Sequence, residues 1–131
     1  MILSAVDGTR EEFAILECSS TRRMRRPSRE PWLAATNHAC ALDGVESDEG
    51  SRLRQARMEA MATALYARPL EVSPPQDLIR ILADDGVERR GPRLTTVYST
   101  VACPGAAQLW FTFGAFPAAS RGDWQPVPWP W

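Results

Sequence analysis

Two short groups of polar residues could do chemistry together: Thr36-Asn37-His38, and Ser51, Arg54 and Arg57 at three-residue intervals. A side-chain amide such as that of Asn37 can donate to an oxygen that gains negative charge in a transition state. A guanidinium such as that of Arg54 supplies a permanent charge and a planar fork of donors that orients carboxylates or thiolates. His38 and Ser51 extend the polar set, with Arg57 one turn further along. Neither group contains an evident nucleophile. His38 and Cys40 lie two residues apart and would share one face of a strand, so a Cys–His pair is an alternative, although no third group in the motif orients it. Arg54 also has a plainer reading, as a helix-surface arginine paired with Asp48, Glu49 or Glu59.

The elements around these residues must hold them in place. Residues 2–6 and 13–18 read as two strands joined at Asp7-Gly8, a strong hairpin turn signal. Residues 21–29 hold five arginines without aromatic neighbours and read as a polar strand or solvated loop. Trp32 to Thr36 reads as a buried strand delivering Asn37 and His38 at its end. An acidic loop, Leu42 to Gly50, precedes a helix over 51–67, with Gly50 or Ser51 as its cap. Leu53, Ala56, Ala60, Met61, Ala64 and Leu65 recur at helical spacing and predict a buried face. Pro74-Pro75 starts a second helix over 76–83. Residues 94–102 and 108–114 read as a hairpin around Pro104-Gly105. The Trp- and Pro-rich stretch from Trp124 to Trp131 cannot be a central strand; it either lays its indoles on an apolar surface or frays. The order is that of an α+β chain of antiparallel sheets with packed helices. We expect one domain over 1–120 and a tail over 121–131.

Composition narrows the function. The chain has 131 residues and a net charge of −1, which gives no general attraction for nucleic acid or an anionic membrane. All 15 basic residues are arginine, which rules out a Schiff-base or general-base lysine. With a single histidine, a multi-histidine metal site within the chain is excluded, and no cofactor is expected. Cys18, Cys40 and Cys103 lack CxxC spacing and read as free thiols. There is neither a signal-peptide pattern nor a membrane-length apolar run, so the expected location is the cytoplasm.

Taken in order, the opening strand pair, Thr36-Asn37-His38, Ser51-x-x-Arg54-x-x-Arg57, and the closing hairpin from Thr96 to Pro117 with its Gly114-x-x-Pro117 resemble the C-terminal part of the isopenicillin N acyltransferase family. These are N-terminal-nucleophile (Ntn) hydrolases, related more distantly to the choloylglycine hydrolases. The resemblance spans roughly residues 2 to 117. It implies part of an αββα sandwich of two antiparallel sheets, with a cysteine freed by self-cleavage as nucleophile and its α-amino group as general base. It implies acyl transfer or cleavage at linear amide (C–N) bonds of a small acyl-amide substrate. Under it, Asn37 stabilises the oxyanion and Arg54 orients charge, with His38, Ser51 and Arg57 in support. No cysteine here stands at a chain start. The nucleophile is therefore expected from an upstream segment or a partner chain, and the chain alone is expected to be inactive. An apolar sheet face left open would favour that partner, or self-association into a homo-oligomer. The alternative is a non-catalytic scaffold or interaction module derived from the same fold.

Overall fold

A computed structural model describes residues 2–7, 12–26, 30, 32–36, 40, 42, 48–68, 74–103 and 106–128. These form a mixed α+β structure with two small antiparallel sheets and three helices. The chain divides into two compact units, residues 1–60 and 61–131.

In the first unit β1 (Ile2–Asp7) and β2 (Glu12–Cys18) pair antiparallel, with Asp7 opposite Glu12 and Ile2 opposite Glu17. This is the hairpin expected across Asp7-Gly8. The basic run supplies a third strand, β3 (Arg23–Arg26), which pairs with β2 from Cys18–Arg23 to Ile15–Arg26. The turn between them is built by Ser19. Its Oγ accepts the amides of Thr21 and Arg22 at 3.3 and 3.0 Å, and its own amide donates to the Arg22 carbonyl at 2.9 Å. Side-chain alternation along β2 turns Ile15 and Glu17 inward and Leu16 outward.

Trp32 to Thr36 is not a strand. Its main chain is engaged by a side chain instead of a ladder, because the Ala34 carbonyl accepts Arg26 Nη1. The helix α1 (Glu49–Tyr66) begins two residues before the expected start. The cap is Asp48, not Gly50 or Ser51: its Oδ2 accepts the Ser51 amide at 2.9 Å. The face of α1 also differs from expectation. Ser51 and Gln55 are buried, whereas Leu53, Ala56, Ala60 and Ala64 are exposed. The physical reason is that the polar residues have partners in the 36–40 segment, which draws that side of the helix inward.

In the second unit α2 (Pro74–Leu82) packs on β4 (Tyr98–Cys103), and the short α3 (Ala118–Arg121) packs on β4 and β5 (Gln108–Phe113). β4 starts later than expected because residues 94–96 fold back on 89–91. Arg90 bridges Thr95, and the Thr96 amide donates to the Arg89 carbonyl at 2.9 Å. The tail contributes β6 (Gln125–Val127) at the sheet edge, where Pro126 faces Trp110 without interrupting a central ladder. Trp124 Nε1 donates to the Ala119 carbonyl at 2.9 Å.

The two faces of this second sheet differ. Ser99, Val101 and Thr112 are buried on the side covered by α2 and α3. α3 sits so close that a Cβ on Gly122 would lie 2.1 Å from Thr112 Oγ1, which leaves room only for glycine. On the opposite face Tyr98 stands across from Phe113, Thr100 from Phe111, and Leu109 from Val127. Tyr98 is 60 % exposed and Phe113 69 %. Their rings join through Phe111, at centroid distances of 5.9 Å to Tyr98 and 5.4 Å to Phe113. Among the described residues, no helix is long and apolar enough to cross a membrane.

Candidate functional site

The first unit brings together residues from the two groups singled out in the sequence. Asp48 ends the acidic loop and caps α1, which sets Ser51 in the first turn. Ser51 is buried, and its hydroxyl donates to Asp48 Oδ2 at 3.0 Å. Arg54, one turn on, points back along the helix and donates from Nη2 to Ser51 Oγ at 3.0 Å. Across from the helix, buried Thr36 donates from Oγ1 to the Ser51 carbonyl at 2.8 Å. A carbonyl oxygen has two lone pairs, so it can accept this bond beside the one it takes in the helix ladder.

The result is a relay from a carboxylate through a hydroxyl to a guanidinium, with Thr36 fastened to its midpoint. Such a relay holds the arginine by its donor side. Arg54 is therefore bonded within the first turns of α1, one hydroxyl away from the Asp48 carboxylate. Arg57 lies on the exposed side of α1. Asn37 and His38 lie outside the described residues, so Thr36 and Cys40 mark the two sides of their segment.

A second group holds that segment from the sheet side. Glu17 has no exposed surface. Its two carboxylate oxygens each lie 2.8 Å from the Cys40 amide, and Oε2 also accepts the Leu42 amide at 3.2 Å. Arg26 donates from Nε to Glu17 Oε1 at 3.2 Å. The register explains the pairing. Ile15 faces Arg26 and Glu17 faces Met24, so Glu17 and Arg26 are diagonal neighbours on one face of the sheet. Gln55 completes the group: its Nε2 lies 3.4 Å from Cys40 Sγ and donates to Glu59 Oε1 at 2.8 Å.

The sequence reading missed the Glu17–Arg26 pair and Gln55. A signal for the first was present, since Glu17 sits at an inward position of an otherwise apolar strand and the facing strand is arginine-rich. A charge at such a position must find a partner or be neutralised.

Cys18 lies within β2, and Cys40 is exposed. Burial pushes the Cys103 thiol up, away from the thiolate that nucleophilic attack requires. Among the described residues, no cluster of three or more His, Cys, Asp or Glu side chains is placed to hold a metal ion. Comparison with protein-family models, with curated proteins and with solved structures gave no match.

Proposed function

We propose that this chain carries the oxyanion-stabilising and arginine-bearing portion of a cysteine Ntn-type acyltransferase or amidase acting on linear amide bonds, with the nucleophile supplied from outside these residues. The observation that carries the reading is the meeting of the two motifs on which the family resemblance rests. Thr36 belongs to Thr-Asn-His and Ser51 to Ser-x-x-Arg, and the two join at 2.8 Å while Arg54 bonds the same serine at 3.0 Å. A chance recurrence of two short motifs carries no requirement that they touch.

The layering of the second unit supports the finer fold reading. Helices cover one face of its sheet, and the other face is an apolar strip of Tyr98, Phe111, Phe113, Leu109 and Val127. An αββα sandwich presents such a face to a second sheet.

In the proposed reaction the external thiolate attacks the amide carbonyl of a small acyl-amide substrate. The carbonyl oxygen gains the negative charge and takes a hydrogen bond from the Asn37 side chain. The C–N bond then breaks, the departing amine takes the proton carried by the α-amino group of the nucleophilic residue, and the acyl thioester left on the sulfur is released to water or an acceptor amine, whose proton returns to that α-amino group. Arg54, held by Ser51, orients charged groups at that centre.

The test is co-expression with the upstream coding segment, followed by an amide-hydrolysis assay. The assembled protein is expected to turn over, and Asn37→Ala to lower kcat by about 10²–10³-fold. Robust turnover by the chain alone would overturn the external nucleophile. If no assembled form turns over, the non-catalytic scaffold is the correct reading.

A further inference from the structure

Glu17 has no part in the chemistry proposed above, yet it is a fully buried carboxylate aimed away from its own strand. It collects the amides of Cys40 and Leu42, residues that lie 23 and 25 positions further along the chain. Its neighbour Arg26 bonds Glu17 through Nε and reaches the Ala34 carbonyl through Nη1. The pair thus grips the main chain on both sides of the Thr36-Asn37-His38 motif: residue 34 before it, and residues 40 and 42 after it. Thr36 adds a third hold, on the first turn of α1.

A carboxylate is suited to this task because it offers two oxygens with several acceptor directions, so one side chain can hold two successive loop amides and a guanidinium. A buried apolar residue at position 17 would fill the space and hold nothing. Leaving a buried charge in a strand is costly unless it is engaged, and this one accepts from the Cys40 and Leu42 amides and from Arg26.

We propose that Glu17 is a positioning residue for the acyl-transfer reaction: with Arg26 it holds residues 34, 40 and 42, which flank Asn37 in the chain. This rests on the function proposed above, and its first test is independent of turnover. In the full-length chain, Glu17→Gln removes the charge and one of the two oxygens. Amide hydrogen exchange at Cys40 and Leu42 is then expected to speed up by about tenfold or more, while exchange in β4 and β5 stays as it was. The side-chain amide resonances of Asn37 are expected to shift. Glu17→Asp keeps the charge but shortens the reach, and should fall between wild type and Glu17→Gln.

Unchanged exchange at Cys40 and Leu42, together with an unmoved Asn37 resonance in a folded Glu17→Gln protein, would overturn the proposal. If Glu17→Gln does not fold, Arg26→Gln loosens one side of the grip and is read in the same way. In the assembled enzyme the expected split is a lower kcat with little change in KM. Failure of the acyl-transfer reading would show separately, as turnover that is indifferent to Asn37→Ala.

Discussion

Phe113→Glu places a charge on the open face of the second sheet, at the end of β5, and is the sharpest test of what that face is for. Phe113 is 69 % exposed and Tyr98, across the ladder from it, 60 %. A residue of this size offers about 200 Å², so each leaves about 130 Å² of ring in water. At about 25 cal/mol per Å², covering one such ring stabilises by about 3 kcal/mol. Association itself costs about 4–15 kcal/mol against about 12 kcal/mol from the four such rings of a symmetric pair, so the strip drives weak, reversible self-association and not a permanent dimer. In the monomer the substitution gives up little burial. The main loss is the ring contact with Phe111 at 5.4 Å, worth about 1 kcal/mol. Light scattering or sedimentation over a concentration series should therefore show reversible association of the wild-type chain. Phe113→Glu removes a ring from each copy and should weaken it by at least about a hundredfold, with the unfolding midpoint nearly unmoved. A wild-type chain that stays monomeric at all concentrations, or a variant that associates equally well, would refute the reasoning.

Three further outcomes are expected. Glu88 has no exposed side-chain surface and accepts the Ala119 and Ser120 amides at 2.7 and 3.2 Å. Its other oxygen lies 3.2 Å from Arg90 Nη2, an ion pair that falls short of hydrogen-bond geometry. Glu88→Ala leaves the buried Ala119 amide without this acceptor and should cost about 1–3 kcal/mol, and Glu88→Gln less, read by urea unfolding of the indole fluorescence. Asp48→Ala removes the cap of α1 and should cost about 1 kcal/mol, with amide exchange rising at residues 51 and 52. Burial raises the Cys103 pKa, so its alkylation should reach half-maximum at a higher pH than that of an open thiol. The same sign means that the stability Cys103 contributes is complete below the ordinary thiol range and is lost as pH rises through the folded value.

The hairpins were legible in the sequence because their signals are local. Asp7-Gly8 is a turn signal and alternating Thr, Val and aromatic residues are strand signals, and the flanking strands pair as these signals require, although the turn residues 8 and 104–105 lie outside the described residues. β3 and β6 were harder. An arginine-rich stretch and a proline-bearing tail both lack intrinsic strand preference, and each becomes a strand because a neighbouring ladder offers its main chain a partner. The helix α1 shows the opposite error. Its apolar spacing pointed to a buried stripe, but Leu53 is 64 % exposed while Ser51 and Gln55 are buried. Periodicity reports which residues could be buried together. It carries no information about a loop far along the chain that offers hydrogen bonds to the polar side.

The same distinction separates what the sequence revealed of the site from what it hid. The spacing within Ser51-x-x-Arg54 already placed both side chains on one side of a helix, one turn apart, and the structure bonds them. That Thr36 would reach Ser51 required the path of the intervening chain. The Glu17–Arg26 grip depended on the β2–β3 register and on a loop about 23 residues downstream. A one-residue slip of that register would turn Glu17 and Arg26 to opposite faces, and residues 34, 40 and 42 would lose these holds. A site built in this way depends on strand pairing as much as on its polar residues. Substitutions that shift the β2–β3 pairing should therefore disturb the 34–42 segment without touching any residue in it.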